Sequence, residues 1–121
     1  MNKRTVGNRY EDIAVDWLLR NGFRIITRNF RTRDGEIDII CQQKDVETGQ
    51  DILVFVEVKY RKNRRAGSPE EAITPAKMRK IMRVADYYRV RYQVSMEQPC
   101  RFDVIAIEGE SLRHYENAFG A

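Results

Sequence analysis

The sequence predicts a single α/β domain, a mixed central sheet flanked by helices, over residues 1–121. Three observations lead there. Two segments carry apolar residues at helical spacing. The runs between and after them are rich in β-branched and aromatic residues, as strands are. A chain of 121 residues fits one domain with one modest core.

The first helix is predicted over residues 5–21, because Tyr10, Ile13, Ala14, Trp17 and Leu18 recur at helical spacing. Asn21-Gly22 stops it, with Gly22 able to take the left-handed conformation. Residues 23–30 read as a first strand and 36–42 as a second. Between them lies Asp34-Gly35, the strongest hairpin signal in the chain. A polar loop over 44–51 leads to a third strand over 51–60, which completes an antiparallel meander. Ser68-Pro69-Glu70-Glu71 has the form of a capping box, and Thr74-Pro75 is a second helix start. The long helix runs from there to about Tyr92 with Met78, Ile81, Met82, Ala85, Tyr88 and Tyr92 as its buried stripe. Pro75 implies a break between the two helical pieces. A fourth strand follows over 101–108 and a short fifth over 112–116.

Hydrophobic residues make up 42% and charged residues 33%, the composition of a folded domain. No apolar run approaches the roughly 20 residues of a membrane span. Met1-Asn2-Lys3-Arg4 is basic but no apolar segment follows it, so no signal peptide and no membrane partner are expected. The expected location is the cytoplasm. A net charge of +4 favours polyanionic partners such as nucleic acid. Cys41 and Cys100 form no metal-binding pair with the single histidine, His114. Both cysteines are expected to be reduced packing residues, and His114 an ordinary surface or strand residue.

The segment Leu53-Val54-Phe55-Val56-Glu57-Val58-Lys59-Tyr60 places two opposite charges inside an apolar strand. Strand residues alternate faces, so Glu57 and Lys59 point the same way. Charges facing a nearly dry core are costly unless paired or bound to something. In Gly35-Glu36-Ile37-Asp38-Ile39-Ile40, Glu36 and Asp38 are expected on one face and Ile37 and Ile39 on the other. Neighbouring strands lie about 4.8 Å apart, so Asp38 and Glu57 can converge on one cation such as Mg²⁺ or Mn²⁺. A cation there would bind a phosphate oxygen and a water, with Lys59 orienting the water or neutralising charge. Glu36 could be a supporting acid or a solvated residue at the turn. Glu11, at the edge of the first helix's apolar stripe, could lean over the same sheet face or be solvated. The basic loop with Arg61, Lys62, Arg64 and Arg65 follows the charged strand directly, and Arg28, Arg31 and Arg33 lie near the hairpin. Both groups suit phosphate contacts, which position a substrate without reading its sequence. Lys77 flanks the long helix's apolar stripe and can approach the phosphate. Lys80, Arg83 and Arg91 read as that helix's solvated face.

Asp38 followed by Glu57-x-Lys59, both embedded in apolar strands, resembles the PD-(D/E)xK nuclease superfamily. That superfamily's proline before the Asp is replaced here by Ile37. The resemblance extends along nearly the whole chain to the YraN family of small bacterial proteins. It is carried by Gly7, Glu11, Ala14, Leu18 and Gly22, Arg28-Asn29, Gly35-Glu36-Ile37-Asp38 and Phe55-Val56-Glu57-Val58-Lys59. It continues through Pro69, Glu71-Ala72-Ile73, Lys77, Arg101-Phe102-Asp103 and Glu116-Asn117-Ala118-Phe119. Within the superfamily the chain is most similar to the archaeal Holliday-junction resolvases. The resemblance implies a restriction-endonuclease-like sheet and a Mg²⁺- or Mn²⁺-dependent nuclease. It implies catalytic residues Glu11, Asp38, Glu57 and Lys59, the first three holding the metal. The implied substrate is DNA in preference to RNA, branched DNA included. Symmetrical resolution of a junction needs two sites and hence a homodimer. The alternatives are an accessory protein that binds nucleic acid without turnover, and a purely structural interaction domain.

Overall fold

The computed structural model describes residues 6–120. The predicted helix start at Thr5 and the basic residues 1–4 lie outside them. Helix α1 (Val6–Arg20) ends in a Schellman turn: Phe23 N–H reaches the Leu18 carbonyl at 3.0 Å and Gly22 N–H the Leu19 carbonyl at 3.3 Å. Gly22 supplies the positive φ of 84° that this turn requires. Phe23 folds back onto Leu18 in one buried cluster.

Five strands form one sheet in the order β1 (Arg24–Thr32), β2 (Gly35–Lys44), β3 (Asp51–Arg61), β4 (Cys100–Glu108) and β5 (Ser111–Phe119). The first three make the antiparallel meander expected from the turn chemistry. β4 pairs parallel to β3, and β5 returns antiparallel to β4. The parallel step needs a crossover, which helix α2 (Pro75–Arg91) provides. The fold is thus a mixed sheet flanked by two helices, consistent with a restriction-endonuclease-like architecture. Among the described residues no helix is long and apolar enough to cross a membrane.

Period-two alternation sorts β3 between two cores. Val54 and Val56 join Ala14 and Leu18 on the α1 face, while Leu53 and Phe55 join Ile81, Val84 and Tyr88 on the α2 face. Val58 and Tyr60 continue the α1 face, which leaves Glu57 and Lys59 toward α2. Cys41 and Cys100 are free and lie on strands, and burial pushes the Cys41 thiol up to about 12, which makes it unreactive.

Several details differ from the sequence expectation. The buried line of α1 is Glu11, Ala14 and Leu18, so Glu11 is central to the packed face, and Ile13 and Trp17 turn outward. Ser68 makes no capping hydrogen bond. Pro69–Ala72 forms a separate 3-10 turn, and α2 begins only at Pro75 under a Thr74 cap. On α2 it is Val84 that is buried, whereas Tyr92 is half exposed. The fifth strand extends to Phe119. Ile37 and Ile39 do not share a face: Ile37 packs under α2 and Ile39 under α1. Alternation fails there because Asn29, opposite Asp38 in the register, has a left-handed φ of 54°, and because β2 has lost β3 as a neighbour at that point.

Candidate active site

The ladder between β2 and β3 runs from Lys44↔Asp51 to Ile39↔Val56 and stops. Both strands continue, but each follows a different partner. Residues 35–37 stay on β1, and residues 57–61 stay on β4. The sheet therefore forks, and Asp38 and Glu57 are the first residues on its two arms. A backbone-to-side-chain hydrogen bond crosses the gap: Val58 N–H donates to Asp38 Oδ2 at 2.7 Å.

Asp38, Glu57, Lys59, Lys77 and Lys80 line one pocket of about 300 Å³ between the fork and the start of α2. The Glu57 side chain is only 12% exposed, and Lys59 Nζ stands 3.7 Å from its Oε1. Burial pushes the Glu57 carboxyl up to about 9. The hydrogen bond to Asp38 and repulsion from it act the same way, against the pull of Lys59 and Lys77. Lys77 is held below its ordinary value, first by the charge of Lys59 and then by burial. The pocket thus gathers like-charged pairs of both signs within one small volume. Lys80, which the sequence places on the solvated face of α2, also reaches the rim. Its position on the turn after Lys77 was the available signal.

Glu11 approaches from the opposite helix and is buried rather than solvated. Its Oε1 accepts from Arg28 Nε at 3.0 Å and from Asn29 Nδ2 at 3.1 Å. Burial raises its carboxyl, with Arg28 opposing and Asp38 adding to the rise. Arg28 also binds Asp12 at 2.6 Å, so its guanidinium is held by two acids of α1. Arg31, largely exposed, pairs with Glu36 at 2.7 Å. In the basic loop, Arg64 is tied to Glu108 at 2.8 Å and Arg61 donates to the Tyr60 carbonyl at 2.9 Å. Lys62 and Arg65 are exposed, with Asn63 capping the turn through Arg65 N–H.

Among the described residues, no three acidic, histidine or cysteine side chains form a metal cage. The fork itself offers two hard carboxylates, and Mg²⁺ is commonly held by one or two carboxylates with water and phosphate oxygens completing its shell. The strained charge of Glu57 beside Asp38 is what a divalent cation would relieve, so the donor set fits such an ion.

A larger cleft, about 520 Å³, lies between the Pro69–Ala72 turn and β5. Its acid, Glu70, is clamped by Arg113 at 2.6 and 3.0 Å and by the Tyr115 hydroxyl at 2.6 Å. Arg113 holds that carboxyl down at about 2. Those groups are committed to one another, and the rest of the lining is Ile73, Met78, Val104 and Ala118 together with His114 and Glu116.

Beneath the sheet a second polar cluster, not anticipated from the sequence, fixes the far strands. Asp103 is fully buried and accepts from Arg101, from His114 Nε2 at 2.8 Å and from Asn117 N–H at 3.0 Å. Trp17 Nε1 donates to the other ring nitrogen of His114 at 3.1 Å. His114 is therefore a half-buried link on β5 between α1 and β4, not an ordinary strand residue.

Sequence comparison covers most of this fold. A family profile described as "Uncharacterised protein family UPF0102" matches residues 10–107, a span that takes in Glu11, Asp38, Glu57, Lys59 and Asp103. The UPF0102 protein of Lachnoclostridium phytofermentans is 44% identical over 121 residues, covering 100% of this chain and 98% of its own length. That of Symbiobacterium thermophilum is 49% identical over 105 residues, 87% of this chain and 83% of its own. That of Vibrio parahaemolyticus is 42% identical over 119 residues, 97% and 93% respectively. A profile match over most of the chain, with relatives this similar almost end to end, makes the chain a member of the UPF0102 family, the YraN-like proteins.

Proposed function

We propose that this chain is a metal-dependent nuclease of the PD-(D/E)xK type, hydrolysing nucleic-acid phosphodiester bonds in the cytoplasm. DNA is the preferred substrate, branched DNA included, and two chains act as a homodimer on a junction. The observation that carries the reading is the fork. It holds two carboxylates and a lysine on adjacent arms, beyond the apolar stretch of β3, at a cost that stability does not explain.

Asp38 and Glu57 would hold Mg²⁺ or Mn²⁺, with Glu11 the third acid once its pairing with Arg28 loosens. Such an ion supplies an activated water and stabilises charge developing on phosphorus. Lys59 neutralises the phosphate from the same face as Glu57. Lys77 and Lys80 hold the phosphate from the α2 wall. The exposed Lys62 and Arg65, with Arg61, extend the positive surface beyond β3. Cleavage of single-stranded, duplex, flap and four-way-junction DNA with Mg²⁺, Mn²⁺ or chelator tests the reading. Metal-dependent products on at least one substrate are expected. No cleavage of any, by protein shown to bind DNA, would favour an accessory role.

Lys59→Met is expected to keep metal binding and the fold while losing turnover, since methionine keeps much of the stem and removes the charge. Parental cleavage rates in both metals would make Lys59 structural.

Replacing Arg61, Lys62, Arg64 and Arg65 together by serine is expected to weaken DNA binding and flatten its salt dependence. Each phosphate that the loop no longer neutralises lowers the slope of log K against log salt by about 0.9 on a duplex. Because Arg64 is tied to Glu108, part of any stability deficit should be recovered by restoring Arg64 alone. Titrations of two unrelated duplexes at several salt concentrations measure this. An unchanged slope would remove the loop from the binding surface.

A further inference from the structure

One face of α2 carries a largely exposed pattern, with Arg83 standing 3.8 Å from Asp34 of the β1–β2 turn. Lys80, Arg83, Tyr87 and Arg91 recur at three- and four-residue steps, so they line one exposed stripe. The stripe starts at the fork pocket, whose rim includes Lys80, and runs about 16 Å along the helix to Arg91. Over its length α2 bears six Lys or Arg and one Asp, a net of five positive charges.

Aromatic rings sit at its far end. Tyr87 is 52% exposed and Tyr92 53% exposed. Each lies with its ring centroid 6.3 Å from that of Phe30 on the edge strand β1. The Arg91 guanidinium lies 5.5 Å from the Tyr92 centroid. Tyr88, which is buried, and Phe30 already seal the seam between α2 and the sheet, with their rings 5.2 Å apart edge to face. About half of each of Tyr87 and Tyr92 therefore faces solvent, Tyr92 resting on Tyr88 at 4.7 Å between centroids and carrying Arg91 over its ring. Phe30 holds both rings in place, so ordering them on binding costs little.

We infer that this stripe is a platform for single-stranded DNA leaving the fork, with bases stacked on Tyr87 and Tyr92 and backbone phosphates held by Lys80, Arg83 and Arg91. The inference rests on the fork being the phosphodiester site and names the substrate class: DNA unpaired beside the cut. Unpaired bases are favoured because a duplex keeps its π-faces inside its own stack, whereas exposed tyrosines interleaved with cations offer stacking of any base together with backbone attraction. Duplex binding would need only the cations.

The test compares the parent with Tyr87→Leu/Tyr92→Leu and with Tyr87→Phe/Tyr92→Phe. Fluorescence anisotropy reads binding to an oligothymidylate and to a hairpin duplex of equal phosphate number, in chelator so that nothing is cut. The leucine pair is expected to lose about tenfold or more on oligothymidylate, and no more than about twofold on the duplex. The phenylalanine pair should bind as the parent does. Tyr87→Leu alone gives the same comparison if the double variant melts early. Equal losses on both ligands, no loss on either, or no parental binding of oligothymidylate would overturn the platform. Cleavage, measured separately with Mn²⁺, scores the fork. A parent that holds single strands through its tyrosines but cuts nothing keeps the platform and sinks the nuclease. A parent that cuts duplex while the leucine pair binds oligothymidylate normally sinks the platform alone.

Discussion

Glu57→Gln is expected to lower cleavage by at least about a thousandfold while raising the melting temperature of the metal-free protein. Two consequences of burial meet at this side chain. It faces Asp38 in a site with little water, and its carboxyl is pushed up to about 9 from an ordinary value near 4.5. A group raised in the folded state favours folding while protonated. Its contribution is fully present below about 4.5 and is lost as pH rises through about 9. Glutamine keeps the shape and the hydrogen-bonding capacity and does not ionise. Its advantage should therefore grow across that window and reach on the order of 2 kcal/mol near neutrality, which is several degrees of melting temperature.

The parent's own response to Mg²⁺ should strengthen with pH over the same range, because the cation must displace the proton on Glu57. Asp38→Asn should likewise stop cleavage and abolish the Mg²⁺ response. Asp38→Ala carries an added cost, since it leaves the Val58 N–H without its acceptor. Melting curves with and without Mg²⁺ at several pH values check all of this. Variants that respond to Mg²⁺ as the parent does would remove the metal from the fork.

Asp103→Ala is expected to be the most damaging single change to the fold, at about 3–5 kcal/mol, or roughly 10–20 °C in melting temperature. Each Asp103 oxygen accepts two hydrogen bonds: Oδ1 from Arg101 and Asn117, Oδ2 from Arg101 and His114. Burial alone would raise this carboxyl, but His114, Arg101 and Asn117 outweigh it and hold the carboxyl below its ordinary value. Removing it leaves the guanidinium of Arg101, which is only 14% exposed, with the more distant Glu116 at 3.6 Å, and strands the Asn117 N–H at the irregular step between β4 and β5. It also releases His114, the link to Trp17 on α1. Asp103→Asn should cost less because it keeps part of the network. Urea unfolding compares the three proteins, and a loss below about 1 kcal/mol for the alanine variant would mean the network is not what holds β5 and α1 together.

Local chemistry made much of this fold legible in the sequence. Asp34-Gly35 specified the hairpin, Asn21-Gly22 the end of α1, and the alternation of residues 53–60 the shared face of Glu57 and Lys59. What stayed hidden depends on distant partners. The phase of α1 was misread because Ile13 and Trp17 count as apolar in any periodicity, although Trp17 uses its indole N–H on His114, 97 residues away. Glu11 looked marginal because nothing local reveals Arg28 and Asn29 as its partners. The fork could not be read either. Whether two strands part depends on what their outer neighbours hold, and here β1 and β4 draw them apart. Asp103 stood out only as part of a resemblance, since a buried acid shows itself through its donors, and His114 and Asn117 lie on another strand.

The two arms of the fork also differ in when they can form. β1 and β2 meet across a tight turn, so the Asp38 arm needs only nearby chain. The Glu57 arm has no ladder partner until β4 arrives, and the pair Glu57↔Val104 is separated by 47 residues and the whole of α2. Closing that loop is entropically slower than zipping the hairpin. The meander can therefore assemble with its third strand frayed at the Glu57 end, and the two carboxyl groups face each other only once the crossover has docked. The cost of burying Glu57 beside Asp38, whether met by holding its proton or by bearing repulsion, then falls only on the last stage of folding, so it should appear mainly as a faster unfolding rate and hardly at all as slower collapse.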